Sequence, residues 1–141
     1  MGGMSRRSEV DSEKTNRSGG REEKTMNISF HHRQLDVTRV ALEAMVRCDR
    51  IAKSLPRGYG YHADQLQRSS GSTYLNTTES LGRRGADRKN RLRTAQSEAN
   101  EAVAALDGLM ALGLLGRNEG EEVCTLLGRV CQMLSGLAKK S

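Results

Sequence analysis

Apolar residues recur along this chain at alternating steps of four and three in three separate stretches. Val37, Ala41, Ala44, Cys48, Ile51 and Leu55 form the first set. Leu92, Ala95, Ala99, Ala102, Leu106 and Leu109 form the second, and Val123, Leu127, Val130, Leu134 and Leu137 the third. Between the first two, Leu66, Ser70, Thr73, Thr77 and Ser80 keep the spacing with hydroxyls in place of hydrocarbon. A period near 3.5 residues puts every member of a set on one helical face, which is what a helix needs to pack in a bundle. Four such stripes joined by short turns predict an all-α fold, an antiparallel up-down-up-down four-helix bundle.

The punctuation between stripes sets the boundaries. Helix one is expected over about 35–55, broken by the LPRGYGY segment with Pro56 and two glycines. Helix two is expected over 62–81, ending at a GRRGAD turn in which Gly82 and Gly85 suit a C-terminal cap. Helix three follows over 87–112, and Gly113 with Leu114 reads as a Schellman stop. Asn118 and Glu121 have the spacing of a capping box that opens helix four over 118–138. Residues 34–141 thus form the bundle. Residues 1–33, rich in Ser, Gly, Glu, Arg and Lys, read as a disordered tail with seven basic and five acidic groups.

Helix two is the exception among the stripes. Burying Ser70, Thr73, Thr77 and Ser80 costs on the order of 1–3 kcal/mol for each hydroxyl left without a partner. A hydroxyl returned to the carbonyl one turn back removes much of that cost. Either this face packs closely against Ala-rich helix three, which is the favoured reading, or it lies partly open in an oligomer interface.

Composition narrows the picture. One Phe, three Tyr and no Trp leave a core of Leu, Val, Ala, Met and Cys, which suits thin, closely packed helices and not a sheet. So slender a bundle buries little surface alone, which favours self-association. Cys48, Cys124 and Cys131 contain no CxxC pair and read as reduced, small hydrophobes. No apolar run approaches the ~20 residues of a membrane span. The N-terminal MGGMSRRSEVDSEKTNRSGG lacks the apolar core of a signal peptide, so a cytoplasmic location is expected.

Charge supplies the strongest functional signal. The run RRGADRKNRLR holds Arg83, Arg84, Arg88, Lys89, Arg91 and Arg93 against Asp87, a net +5, whereas residues 94–141 carry four basic and six acidic groups. Positive charge is therefore concentrated where helix two turns into helix three, and a cyclic oligomer would multiply it. Basic groups at a helix N-terminus oppose the helix dipole, so helix stability does not account for them. Such an end fits phosphate backbones, with no aromatic residue in the segment to stack on bases.

Other features carry less. His31 and His32 are adjacent, do not share a face and have no further ligand at metal spacing, so no metal site is expected. His62 borders a polar cap. Asn76 and Glu79 do not make a paired-carboxylate site, and Glu79 is expected to pair with Arg83 one turn on. GRRG has no preceding strand and no lysine-serine phosphate loop. No nucleophile, base and oxyanion site come together, so neither an enzyme nor a cofactor is expected.

The run DQLQRSSGSTYLNTTESLGRR, Asp64 to Arg84, resembles the signature of the 23S rRNA intervening-sequence proteins at Asp64, Gln65, Leu66, Arg68, Ser72, Asn76, Glu79 and Arg83. Leu92, Ala95, Ala99, Glu101 and the AALD run Ala104 to Asp107 match the downstream pattern, so that the likeness spans roughly 34–138. The chain departs from that pattern at Ser69, Ser70, Thr73, Thr77 and Ser80, where the family has Ala, Ile or Gly, and at Ser97 and Glu98 in place of a Gly-Ser pair. The resemblance implies an antiparallel four-helix bundle that assembles as a homopentamer. A related branch, the accessory variability proteins of diversity-generating retroelements, implies a basic pentameric barrel that binds a reverse transcriptase and nucleic acid. Two functions follow as expectations. The first is a non-catalytic oligomer that binds nucleic acid, structured RNA before DNA, through Arg83, Arg84, Arg88, Lys89, Arg91 and Arg93. In it Asp64, Gln65, Arg68, Asn76 and Glu79 form a structural polar frame. The second is an accessory scaffold that recruits a reverse transcriptase or another nucleic-acid enzyme.

Overall fold

The computed structural model describes the backbone of residues 21–140 and the side chains of residues 34–140. Helix α1 runs from Arg21 to Ser54, α2 from Gly60 to Ser80, α3 from Gly85 to Ala111 and α4 from Arg117 to Lys140. The first helix begins well before the expected residue 35. Residues 1–20 of the expected tail lie outside the described residues, while 21–33 continue α1 in backbone.

Cross-helix partners give the topology. Gln67 of α2 donates to Asp49 of α1 at 3.0 Å. Glu79, near the end of α2, meets Arg91, near the start of α3, at 3.0 Å. Gln96 of α3 donates to the Cys131 carbonyl of α4 at 3.0 Å, and further along α3 Asp107 faces Cys124, earlier in α4. From α2 to α3 and from α3 to α4, rising numbers on one helix thus meet falling numbers on the next, which is antiparallel pairing. Arg47 of α1 reaches Glu122 of α4 at 3.6 Å and closes the ring of four. These pairings are compatible with an up-down-up-down bundle.

The periodic stripes are the core. Every member of the four sets is buried except Leu55, which is half-buried at the end of α1. The hydroxyl face of α2 is buried with them: Ser70, Thr73, Thr77 and Ser80 are all at 1 % exposure or less. Each hydroxyl donates back along its own helix, Ser70 to the Leu66 carbonyl at 2.8 Å, Thr73 to Ser69 at 2.8 Å, and Thr77 to Thr73 at 2.7 Å. Ser80 donates to Thr77 at 2.7 Å. The polar atoms are satisfied within α2, so its short side chains can sit against α3, where Ala95, Ala99 and Ala102 present equally small groups.

The turns follow the punctuation with two corrections. Gly113 is the left-handed residue of a Schellman motif (φ 74°), with its N–H on the Met110 carbonyl at 3.1 Å and that of Leu114 on Leu109 at 2.9 Å. The GRRGAD turn works differently from expectation. Leu81 caps α2 in right-handed geometry, and the positive φ belongs to Gly85, the first residue of α3. The Asn118–Glu121 capping box does not form either. Helix α4 begins at Arg117, the Gly116 carbonyl accepts from Gly120 N–H at 2.9 Å, and Glu121 pairs with Arg117 at 3.3 Å.

Candidate nucleic-acid interface

The six cations of the α2–α3 turn divide into two groups. Three are drawn into local structure. Arg83 pairs with Asp87 at 3.0 Å, one helical turn on. Arg88 donates from Nε to the Arg83 carbonyl at 2.9 Å and from a terminal nitrogen to the Leu81 carbonyl at 3.3 Å. Its guanidinium thus caps carbonyls that the end of α2 leaves without helical partners. Arg91 pairs with Glu79 across the helix seam, with its Nε closed off from solvent and lacking a hydrogen-bond partner. The other three, Arg84, Lys89 and Arg93, are exposed, and among the described residues their side chains have no hydrogen bond or ion pair. Arg84 stands at the extended N-cap position of α3, and Lys89 and Arg93 follow one turn apart on the helix.

Register adds two cations that the charge run did not reveal. Lys139 lies eight residues beyond Cys131, and Arg88 lies eight before its partner Gln96. At ~1.5 Å per residue both displacements are about 12 Å along antiparallel axes. Exposed Lys139 and Lys140 therefore finish α4 at the same end of the bundle as the α2–α3 turn. The signal in the sequence was the Lys-Lys pair itself; placing it required the pairing of α3 with α4.

The polar-frame residues do not act as a single frame. Asn76 donates to the Ser72 carbonyl at 2.9 Å and to its hydroxyl at 3.1 Å, both within α2. Glu79 binds Arg91 of α3 instead of Arg83 of its own helix. Asp64 and Arg68 are exposed and Gln65 is half-buried. Arg68, Ser72, Asn76 and Glu79 do share one feature. They line an open groove of about 460 Å³ along α2 and α3, together with Gln67, Gly71, Leu75 and Arg91. Leu75 is 58 % exposed there.

Residues 33–136 match the family described as 23S rRNA-intervening sequence protein. The chain belongs to that family. A solved structure, a protein of unknown function from the S23 ribosomal protein family of Bacteroides thetaiotaomicron, is similar at 25 % identity with a TM-score of 0.71. The likeness covers 76 % of this chain and 98 % of that one. No curated protein matches the chain. Four polar positions that carry the family likeness, Arg68, Ser72, Asn76 and Glu79, thus line one groove in this family member.

Burial pushes the Cys48 thiol up to about 12, against a smaller opposing effect of a hydrogen bond with Ser70. Cys124 and Cys131 are half-buried on α4, and burial raises both, with Asp107 and Glu121 adding to the effect at Cys124. Glu98 is raised as well, chiefly by burial and then by neighbouring Glu101, while Arg68 opposes the shift. Among the described residues no three His, Cys, Asp or Glu side chains gather as a metal site, and no helix is long and apolar enough to cross a membrane. His31 and His32 lie outside the residues whose side chains are described.

Proposed function

We propose that this chain is a non-catalytic, homo-oligomeric bundle that binds structured RNA through its basic end. One observation carries the reading: Arg84, Lys89 and Arg93 are exposed, with no side-chain partner among the described residues, at the end where Lys139 and Lys140 also finish. Cations held by carboxylates have part of their charge cancelled, whereas these present theirs to solvent and to any polyanion. The rigid helices fix their positions, so binding follows the shape and charge of the phosphate backbone. The family name, with its link to ribosomal RNA, favours RNA over DNA. A ring of copies, pentameric by family resemblance, would repeat the patch and raise the local potential.

Fluorescence anisotropy with a structured RNA and a duplex DNA, titrated over salt, tests this. The Arg84→Ala, Lys89→Ala, Arg93→Ala triple variant is expected to weaken RNA binding. It should also flatten the plot of log affinity against log salt by up to ~0.7–0.9 for each phosphate left without its cation. Unchanged affinity and slope would overturn the reading.

A second reading, a scaffold that recruits a reverse transcriptase or another nucleic-acid enzyme, is favoured by the α2–α3 groove and its exposed Leu75. It expects Leu75→Glu to abolish capture of the partner while leaving RNA affinity intact.

A further inference from the structure

A second concave site lies at the other end of the bundle. Tyr61 stands in the first turn of α2, nineteen residues before Ser80, so about 28 Å of helix separates it from the basic turn. Between this end of α2 and the last turns of α3 lies a depression of about 310 Å³. Tyr61, His62 and Gln65 line it from α2, and Glu101, Ala104 and Gly108 from α3. That volume is at the lower limit of small-molecule sites, ~300 Å³, and suits a ligand of one or two rings.

The floor is open because α3 carries almost no side chain there. Ala104 and Gly108 are one turn apart, and a Cβ added at Gly108 would meet nothing within 4 Å. One wall is aromatic. Tyr61 is 72 % exposed in a chain with only three Tyr and one Phe. It is nevertheless positioned: His62 meets it edge-on at 5.6 Å and meets Tyr59 at 5.8 Å, with His62 Nδ1 closed off and without a hydrogen-bond partner. The imidazole is thus held by ring packing and supports Tyr61 as a platform.

The polar groups select among flat ligands. Glu101 offers a carboxylate, which when ionised only accepts hydrogen bonds, and Gln65 offers an amide that both donates and accepts. Guanine carries two adjacent donors, N1–H and the N2 amino group, beside the O6 acceptor. The donors match a carboxylate, and O6 matches an amide N–H. Adenine would instead turn the N1 lone pair toward the carboxylate, a repulsive contact.

We propose that this depression binds a guanine base. The base lies on the Ala104–Gly108 floor against Tyr61, with Glu101 accepting from N1–H and N2–H and Gln65 donating to O6. Aromatic platforms and readout of an unstacked base edge are the means by which proteins recognise single-stranded RNA. The site does not depend on the basic end, and its guanine comes either from a free nucleotide or from an unpaired residue of a nucleic-acid strand.

The test is NMR titration of the full chain with guanosine, adenosine, cytidine and uridine monophosphates, and with single strands that contain or lack guanine. Saturable shifts at His62, Gln65 and Gly108 are expected with guanine ligands, with at least a roughly tenfold preference over adenine. Tyr61→Ala, at an exposed position, is expected to weaken binding roughly tenfold, and Glu101→Gln to abolish the preference for guanine. Saturation by the mononucleotide identifies a free-nucleotide site; saturation only by guanine-bearing strands identifies a strand-reading site. No saturable binding, equal binding of all four bases, or indifference to Tyr61→Ala would each overturn the proposal. The Arg84, Lys89 and Arg93 triple variant should leave guanine mononucleotide binding unchanged. Loss of its salt-dependent RNA binding is read separately, so the two proposals fail independently.

Discussion

Glu79 and Arg91 meet at 3.0 Å across the seam between α2 and α3, and this single ion pair removes one arginine from the basic end. Both side chains remain partly exposed, 49 % and 35 %, so the pair adds at most about 1 kcal/mol to stability. Arg91→Ala is therefore expected to reduce RNA affinity much less than Lys89→Ala, although the two residues lie two positions apart in one charge run. Glu79→Gln should leave affinity unchanged or raise it, because it releases the arginine. Anisotropy titrations of the three single variants at one salt concentration check the order.

Thr77 is fully buried and donates to the Thr73 carbonyl at 2.7 Å. That carbonyl also belongs to the helix ladder, so deleting the hydroxyl strands no buried group. Thr77→Val keeps the shape and should change stability by less than about 1 kcal/mol, with the sign toward stabilisation. Thr77→Ala leaves a void in a core of small side chains and should cost more, about 1 kcal/mol or above. Urea unfolding of the two variants separates packing from hydrogen bonding at this position.

The same residues show what was legible in the sequence. Spacing placed Thr73 and Thr77 on one face with Leu66, because a 3.5-residue period does not depend on whether the side chain is a hydrocarbon. The sequence favours close packing of that face over an open interface, and the structure buries it. The number of helices and the Gly113 stop were legible for similar reasons: each is a local pattern. The Asn118–Glu121 box was not, because Arg117 offers Glu121 a charged partner one turn earlier. At the basic end, a count of charges could not distinguish Arg88, which caps the Leu81 and Arg83 carbonyls, from Lys89 beside it, which faces solvent. That distinction depends on where the α2 backbone ends in space. The aromatic pocket was invisible for a related reason, since Tyr61 and Gly108 become neighbours only through the pairing of α2 with α3.

Cys48 ties stability to alkaline pH. Its thiol is raised from 9.0 to about 12 in the folded chain, chiefly by burial, so the folded state holds this proton more tightly than the unfolded state. Stability from this site is fully present below pH ~9 and is lost as pH rises toward 12. The loss approaches about 4 kcal/mol at the upper limit, since each tenfold difference in proton affinity between the two states is worth about 1.4 kcal/mol. Thermal melts of the parent and Cys48→Ala should therefore differ by a nearly constant amount below pH 9 and converge above it. A constant difference up to pH 11 would show that burial does not raise the thiol, which would then ionise at the same pH in the folded and unfolded chain. In the same chain Cys48 should alkylate far more slowly than half-buried Cys124 and Cys131.

Lys139 and Lys140 test whether the basic end is a surface assembled from two parts of the chain or a property of one turn. They lie far from Arg84 in sequence and reach its end of the bundle only because α4 runs back along α3. If RNA touches the assembled surface, Lys139→Gln with Lys140→Gln should weaken binding and lower the salt slope by up to ~0.7–0.9 for each phosphate that either lysine neutralises. The effect should add to that of Lys89→Ala, because separate phosphates would be involved. Both lysines follow the last buried residue, Leu137, so the double variant should unfold at nearly the parent urea concentration. Unchanged affinity at unchanged stability would confine RNA binding to the α2–α3 turn.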